Sequence, residues 1–229
     1  MPAAVPGRVF VVVPAYNEGA RLDRVLATLA PTGHAVVVVD DGSRDDTSAV
    51  ARARGCYVLR HSLSRGQGAA LQTGMTFALR EGADWIVTFD ADGQHQVADM
   101  PALLAPIVEG RADVALGNRF LSGTSNVPAL RTIVLHVARV ITFLTSGVRV
   151  GDTHNGYRAL SRKAALALDL KQDRMAHASE IFDQIRRARL AFVEVPVSIR
   201  YSEETLAKGQ RLSNSVSVLF QYMIGKINS

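Results

Sequence analysis

Two aspartates separated by one residue, Asp90 and Asp92, are the strongest chemical signal in the sequence. They follow directly on the apolar run 85–89, so they stand at the end of a predicted strand. Two carboxylates at this spacing can face one hard cation, Gln94 can add a neutral oxygen, and the cation can bridge phosphate oxygens. An isolated Asp-x-Asp pair is more often a helix cap with a solvated turn acid. The position at a strand end, beside other polar loops, favours the metal site.

Two further polar segments, Pro14–Glu18 and Asp40–Ser43, follow earlier apolar runs. In the first, Tyr16 could stack near a nucleobase and Glu18 could face a ribose hydroxyl or a base edge. In the second, Asp40 could accept a hydrogen bond from a base N–H, as an acid after a strand does in dinucleotide folds. The alternatives are a plain strand-to-helix connection with Glu18 in the first helical turn, and an ordinary Asp-Gly-Ser turn. Taken alone, Asp40–Ser43 is better explained as a turn.

The segment Arg65–Ala69 places two glycines and a basic residue at a predicted helix start, which suits an anion. It lacks the Gly-Lys-Ser/Thr ending of a P-loop, and the histidines lack the spacing of a zinc site. Basic residues are scattered through the second half of the chain, and scattered arginines are usually exposed. These basic residues are Arg119, Arg131, Arg158, Arg200, Lys208 and Arg211.

Strands and helices alternate over the first half of the chain, which predicts an α/β fold with a mostly parallel central sheet and helices on both faces. Ligands bind such sheets at the carboxyl ends of the strands, where the three polar segments fall together on one edge. Strands are predicted at 8–13, 35–39, 56–60, 85–89, 113–117 and 192–201, and helices at 18–30, 66–80, 97–109, 127–147, 173–190 and 213–227.

The composition of the 229 residues, 48% hydrophobic and 21% charged, predicts a single domain over 1–229. The net charge of +5 indicates an anionic partner, but 6% aromatic residues and dispersed arginines argue against nucleic acid. A lone cysteine, Cys56, excludes an internal disulfide and favours a reducing compartment. We expect no signal peptide and no membrane span, and therefore a cytoplasmic protein, with peripheral association at the inner face of the plasma membrane left open.

Four segments in this order resemble the motifs of the nucleotide-sugar glycosyltransferase family two, which has the GT-A fold. Within that family, the chain is similar to the dolichol-phosphate mannosyltransferase and polyprenyl-phosphate glycosyltransferase branch through Gly117–Phe120, Asp152–Arg158 and Val195–Tyr201. The four family segments are Val13–Glu18, Val39–Thr47, Gly66–Ala70 and Asp90–His95.

The resemblance implies a transfer of a hexose from UDP- or GDP-hexose, with a nucleotide-sugar and metal-binding half at 1–120 and an acceptor-binding half at 121–229. It implies Mg²⁺ or Mn²⁺ as the cofactor and polyprenyl phosphate as the class of acceptor. The implied contacts are Asp90, Asp92 and Gln94 to the metal; Pro14, Tyr16, Glu18, Asp40, Gly68 and Asp90 to the nucleotide-sugar; Arg200 and Lys208 to the donor diphosphate; and Arg119 and Arg131 to the acceptor phosphate.

The expected reaction is inverting, with Asp92 and Arg119 among the catalytic residues. A lipid phosphate is ionised at neutral pH and needs no general base, whereas a saccharide hydroxyl acceptor needs a carboxylate, for which Glu180 is the candidate. Transfer to a saccharide hydroxyl in polysaccharide synthesis therefore stays an alternative. A sugar nucleotidyltransferase is less well supported, because Pro14–Glu18 stands where such an enzyme has a glycine-rich basic loop.

Overall fold

The computed structural model describes residues 5–123, 148–153, 155–171 and 177–200, with side chains from Glu180 onward in the last range. Within these residues, strands β1 to β7 form one sheet in the order β3-β2-β1-β4-β6-β5-β7. The strands are β1 (Val9–Ala15), β2 (Ala35–Asp40), β3 (Tyr57–Arg60), β4 (Trp85–Thr88), β5 (Val114–Asn118), β6 (Arg158–Ser161) and β7 (Phe192–Pro196). The helices are α1 (Gly19–Leu29), α2 (Thr47–Ala53), α3 (Gln67–Arg80), α4 (Met100–Val108), α5 (Arg162–Ala167) and α6 (His177–Arg187).

Strand β1 lies at the centre of the sheet, paired in parallel with β2 on one side and β4 on the other. Its sequence is a run of valines closed by Pro14 and Ala15, and every residue in it is buried. Such a continuous apolar run is typical of a strand covered on both faces. Alternate residues of β1 point to opposite faces and so contribute to two separate cores.

The first core contains Val9, Val11 and Val13 of β1, packed against leucines of α1 and α4. The second core contains Phe10 and Val12, packed against α3, α5 and α6. Helices therefore cover both faces of a mostly parallel sheet, as the sequence predicts.

Strand β6 and helix α5 are not predicted by the sequence pattern. Strand β6 runs antiparallel between β4 and β5, so the sheet is mixed. Its first residue, Arg158, pairs with Thr88, the last residue of β4. The start of β6 therefore lies at the same edge of the sheet as the carboxyl end of β4.

Several boundaries differ from those predicted. Strand β7 ends at Pro196 rather than continuing to residue 201, and the helix predicted at 97–109 begins as a 3₁₀ turn at Val97–Asp99 before α4. The helices predicted at 127–147 and 213–227 lie outside the described residues. Arg131 and Lys208 lie outside them as well. Among the helices that the structure describes, none has the length and apolar character needed to cross a membrane.

Candidate active site

The carboxyl ends of the parallel strands gather the predicted polar segments along one edge of the sheet, here called the rim. The loops after β1, β2, β3, β4 and β5 meet there, together with the residues that precede the antiparallel strand β6. The rim is formed by residues 14–19, 40–48, 61–67, 90–95, 118–119, 152–153 and 155–158.

The loop after β1 is bound to the loop after β2. The backbone N–H of Asn17 donates to Ser43 Oγ at 2.9 Å, and the backbone N–H of Arg44 donates to Asn17 Oδ1 at 2.8 Å. Asn17 has a φ of 53°, a left-handed conformation that asparagine tolerates better than most residues. These bonds fix the backbone next to Tyr16, whose side chain is 47% exposed at the rim. An exposed ring on a fixed backbone is available for stacking.

Asp40 is completely buried and serves the loop that follows it. Its carboxylate accepts hydrogen bonds from the Ser43 N–H at 2.7 Å and from the Ser48 hydroxyl. Burial acts to raise the pKa of Asp40, but these hydrogen bonds and the charge of Arg60 outweigh it, and the net pKa is lowered. Both carboxylate oxygens are thus used within the protein, and contact between Asp40 and a nucleobase stays a prediction.

Asp41, which the sequence reasoning did not single out, organises the loop after β3. Its carboxylate is 4% exposed and accepts hydrogen bonds from four donors of that loop. The donors are His61 Nδ1 at 2.7 Å, Ser64 Oγ at 2.8 Å, the Arg65 N–H at 2.9 Å and the Gly66 N–H at 2.7 Å. Burial acts to raise the pKa of Asp41, but the hydrogen bonds lower it overall. The only local sign of this role is an acid before a glycine, which is common in turns.

The carboxylate of Asp90 is bordered by residues of three segments, through the side chains of Gln67 and His95 and the backbone of Gly156. Gln67 Nε2 donates to Asp90 Oδ1 at 2.9 Å, and His95 Nε2 lies 3.4 Å from Asp90 Oδ2. A Cβ on Gly156 would lie 2.7 Å from Oδ1 and 2.8 Å from Cγ of Asp90, and closer still to Oδ2. Asp92 Oδ1 accepts a hydrogen bond from the Gln94 N–H at 2.9 Å. The two carboxylates are close enough for the charge of Asp90 to act on Asp92.

The electrostatics of this pair favour a cation. Burial raises the pKa of Asp92, and the negative charges of Asp90 and Glu18 raise it further. Burial also raises the pKa of Asp90, although Arg158 and Arg119 act in the opposite direction. Two carboxylates that disfavour each other's charge are stabilised when a divalent ion lies between them.

The donor set also suits an ion that shares its coordination with a ligand. No group of three or more histidine, cysteine, aspartate or glutamate side chains is close enough to hold a metal by itself in the described part of the chain. Magnesium is typically bound by one or two carboxylates together with substrate phosphates and water. Asp90 and Asp92 fit that pattern, while a contact from the Gln94 side chain stays a prediction.

The neighbouring histidine is buried and neutral. Burial lowers the pKa of His95 to about 4. Its ring lies flat against the ring of Tyr157, with centroids 4.8 Å apart and an interplanar angle of 11°. The backbone N–H of Asp90 donates to His95 Nδ1 at 3.2 Å. Since Nδ1 accepts this hydrogen bond, the proton of the neutral ring is on Nε2, which faces Asp90.

The expectation that the scattered arginines are exposed is wrong for two of them. Arg119 is 5% exposed and Arg158 is 2% exposed, because both lie where strands β5 and β6 meet the rim. Asp152 Oδ2 accepts hydrogen bonds from Arg119 Nε at 2.6 Å and from the Arg119 N–H at 3.1 Å. In the part of the chain that the structure describes, Nε and Nη1 of Arg158 are buried without a hydrogen-bond partner. No pattern in the local sequence distinguishes these arginines from surface ones.

The other predicted site residues that the structure describes include Arg200, Gly68 and Glu180, which lie in three different parts of the fold. Arg200 reaches the rim through its backbone, because its N–H donates to the carbonyl of Gln94 at 3.0 Å, and its side chain is exposed. Gly68 is buried in the first turn of α3. Glu180, in α6, accepts hydrogen bonds from the Lys171 N–H at 3.0 and 3.2 Å and from Gln184 Nε2 at 3.2 Å. Its predicted role as a general base is not supported by a contact with the carboxylate pair and stays a prediction.

The sheet order and the helices on both of its faces define an α/β protein with the GT-A fold. The crystal structure of glucosyl-3-phosphoglycerate synthase from Mycobacterium tuberculosis in complex with Mn²⁺ and UDP-glucose superimposes with a TM-score of 0.72, covering 96% of this chain and 81% of that one. The sequence identity is 21%, so this likeness establishes the fold alone.

Residues 10–168 match the sequence profile of the family described as Glycosyl transferase family 2. The chain is 30% identical to the polyprenol monophosphomannose synthase of Mycolicibacterium smegmatis, over 91% of this chain and 83% of that protein. It is 27% identical to the UDP-N-acetylglucosamine–dolichyl-phosphate N-acetylglucosaminyltransferase of Methanococcus voltae, over 96% of each chain. The protein belongs to glycosyl transferase family 2, and the family makes it a transferase.

Proposed function

We propose that this protein transfers a hexose from a UDP- or GDP-sugar to a polyprenyl phosphate, with Mg²⁺ or Mn²⁺ as the cofactor. The observation that carries the proposal is the pair Asp90 and Asp92 at the rim, beside the buried Arg119. The relatives support the class of acceptor, since their names specify dolichyl phosphate and a polyprenol product. The Mn²⁺ and UDP-glucose bound to a protein of the same fold support the donor and the metal.

The donor would lie across the loops after β1, β2 and β4. Tyr16 offers an exposed ring to the base, and Glu18 and the aspartate pair border the same part of the rim. Asp90 and Asp92 would hold the metal ion, which would supply positive charge to stabilise the departing diphosphate. The backbone N–H of Arg200 donates to the carbonyl of Gln94 in the loop after β4. The exposed side chain of Arg200 would supply a further positive charge beside that loop.

The acceptor phosphate would meet Arg119. Asp152 accepts a hydrogen bond from the Nε–H of Arg119, and this bond orients the guanidinium group, which stays positively charged. A phosphate oxygen is already ionised at neutral pH, so it can attack the anomeric carbon without giving up a proton to the protein. The reaction therefore needs no base from the chain, in keeping with the use of the Glu180 carboxylate to bind the Lys171 N–H.

The decisive test is a transfer assay with undecaprenyl phosphate and a panel of labelled UDP- and GDP-hexoses, with Mn²⁺ or with chelator. We expect a lipid-linked product that needs the metal, and a loss of about a hundredfold or more in kcat for Asp92→Ala, because metal stabilisation of the transition state amounts to several kcal/mol. Asp169→Ala is the matched control, since Asp169 is an exposed acid paired with Lys171. Undiminished metal-dependent transfer by Asp92→Ala would disprove the ligand assignment, and transfer to saccharides but to no lipid phosphate would disprove the acceptor.

A lipid acceptor also requires that the protein reach a membrane surface. We therefore propose peripheral association at the inner face of the plasma membrane, supported by the net charge of +5. Flotation with vesicles that contain anionic lipid should carry the protein upward, and 0.5 M salt should reverse this. A protein that stays at the bottom of the gradient at low salt would contradict the association.

A further inference from the structure

We infer that Gln67 and His95 are the positioning residues that hold the Asp90 carboxylate in the orientation needed to bind the metal ion. The inference rests on the metal ion of the proposed function, and it adds two residues that support a ligand of that ion. Gln67 approaches one carboxylate oxygen, Oδ1 at 2.9 Å, and His95 approaches the other, Oδ2 at 3.4 Å. The two side chains come from different segments, the start of α3 and the loop after β4, so they hold the carboxylate from two sides.

The imidazole of His95 is itself fixed in place and in tautomer. Its Nδ1 accepts a hydrogen bond from the backbone N–H of Asp90. Its Nε2 lies near the side-chain carboxylate of the same aspartate. The ring is stacked on Tyr157 and meets the edge of Phe89 at a centroid distance of 5.3 Å. Rotation of the ring would break both ring contacts and the backbone hydrogen bond. The fixed ring therefore holds the Asp90 backbone N–H and borders the carboxylate, with Nε2 lying 3.4 Å from Asp90 Oδ2.

The amide of Gln67 is fixed by the loop in front of it. Asp41 binds the N–H groups of Arg65 and Gly66, the two residues before Gln67. Gly66 has a φ of 93°, a conformation that favours glycine, and this turn directs the chain into α3. Four hydrogen bonds to one buried carboxylate thus set the position from which Gln67 reaches Asp90.

Gln67 is a neutral donor, and this matters for a metal ligand. A cationic donor would compete with the metal for the carboxylate charge, whereas an amide orients the oxygens and leaves the charge available. Partners of this kind, bound to a metal ligand, typically change metal affinity or activity by about tenfold to a hundredfold when removed. We expect an effect of that size on the dissociation constant of Mn²⁺ for each residue.

The experiment measures Mn²⁺ binding by titration calorimetry, with saturating UDP in one series and saturating GDP in another. Gln67→Met keeps the length of the side chain and removes the donor, and His95→Phe keeps a ring against Tyr157 and removes both nitrogens. Gln67→Asn and His95→Gln each place a neutral amide donor at the position and should recover part of the affinity. Gln72→Met, on the same helix, and His34→Phe, before β2 at the opposite edge of the sheet, are the matched controls.

The expected result is a Kd for Mn²⁺ raised about tenfold to a hundredfold in Gln67→Met and His95→Phe, unchanged in both controls and partly restored in the donor variants. Unchanged affinity in the two test variants, with normal Mn²⁺ binding by the wild type, would overturn the inference and leave the proposed function standing. Loss of affinity without recovery in the donor variants would also overturn it, since packing alone would then explain the loss. A wild type that binds no Mn²⁺ with either nucleotide would overturn both the inference and the metal in the proposed function.

Discussion

Asp152 binds Arg119 through a single oxygen: Oδ2 accepts both the backbone N–H and the Nε–H of Arg119, at 3.1 and 2.6 Å. The side chains of both residues are almost completely buried, at 0% and 4% exposed. One carboxylate oxygen thus fixes the backbone of Arg119 and the direction of its guanidinium at once. This ion pair joins the end of β5 to the segment before β6 at the rim.

Asp152→Ala should cost about 3 to 5 kcal/mol of unfolding free energy, because it leaves a buried guanidinium without its counter-charge. Urea denaturation of the purified variant measures the loss. The control is Asp23→Ala, which breaks a pair with Arg54 of similar hydrogen-bond length that is exposed to solvent. Its loss should be much smaller, and equal losses in the two variants would contradict the importance of burial.

Tyr16→Ala should weaken binding of the donor nucleotide about fivefold to a hundredfold, since base stacking on an aromatic ring contributes about 1 to 3 kcal/mol. Calorimetry with UDP and with GDP provides the dissociation constants. Tyr57 is a suitable comparison, because it is similarly exposed, at 43%, but lies on the edge strand β3. If Tyr57→Ala weakened nucleotide binding as much as Tyr16→Ala, the stacking role would be wrong.

Asp41→Asn should destabilise the protein by about 3 kcal/mol at neutral pH, because hydrogen bonds to a buried charge are lost and one amide N–H must face a backbone donor. The folded-state pKa of Asp41 is lowered, so the ionised carboxylate stabilises the fold at any pH above its ordinary pKa. That stability is lost as the pH falls through the lowered folded-state pKa. The difference in unfolding free energy between wild type and variant should therefore be largest near pH 7 and shrink below about pH 3.9. A pH-independent difference would show that the charge of Asp41 is irrelevant.

Gly156→Ala should displace the Asp90 carboxylate, because the added methyl group overlaps it. We expect the Kd for Mn²⁺ to rise at least about tenfold, with a matching loss of transfer activity. Gly110→Ala is a useful comparison, since Gly110 has a φ of 71° and open space around it. That variant should lose stability through backbone strain while keeping its metal affinity. Normal Mn²⁺ binding by Gly156→Ala would mean that Asp90 is not constrained from this side.

The first half of the fold could be predicted because its strands are apolar runs that end in polar clusters. Val9–Ala15 and Ala35–Asp40 are mostly valine, and each is followed by acids or amides. In a parallel sheet the carboxyl ends of the strands meet at one edge, so local patterns were enough to bring Asp90 and Asp92 into one site with Glu18.

The rest depends on contacts between residues far apart in the sequence. Strand β6 is four residues long and begins with Arg158, and only its pairing with Thr88 and Leu116 makes it a strand. Asp41 looks like a turn residue until the loop after β3 is folded onto it. The burial of Arg119 likewise depends on its contact with Asp152, 33 residues away in the sequence. Local propensity cannot predict such a contact.

The antiparallel strand β6 has a consequence for how proteins of this kind can diversify. The chain leaves the sheet after Asn118 and returns at Arg158 on the same edge, where β5 and β6 are paired, so the two ends of the excursion 119–157 are already joined. Lengthening such an excursion is inexpensive, about 0.6 kcal/mol for each doubling. Extra residues between Asn118 and Arg158 can therefore be accommodated without separating β5 from β6, whereas Gly156 and Tyr157 lie against Asp90 and His95 and leave little room for change at that end.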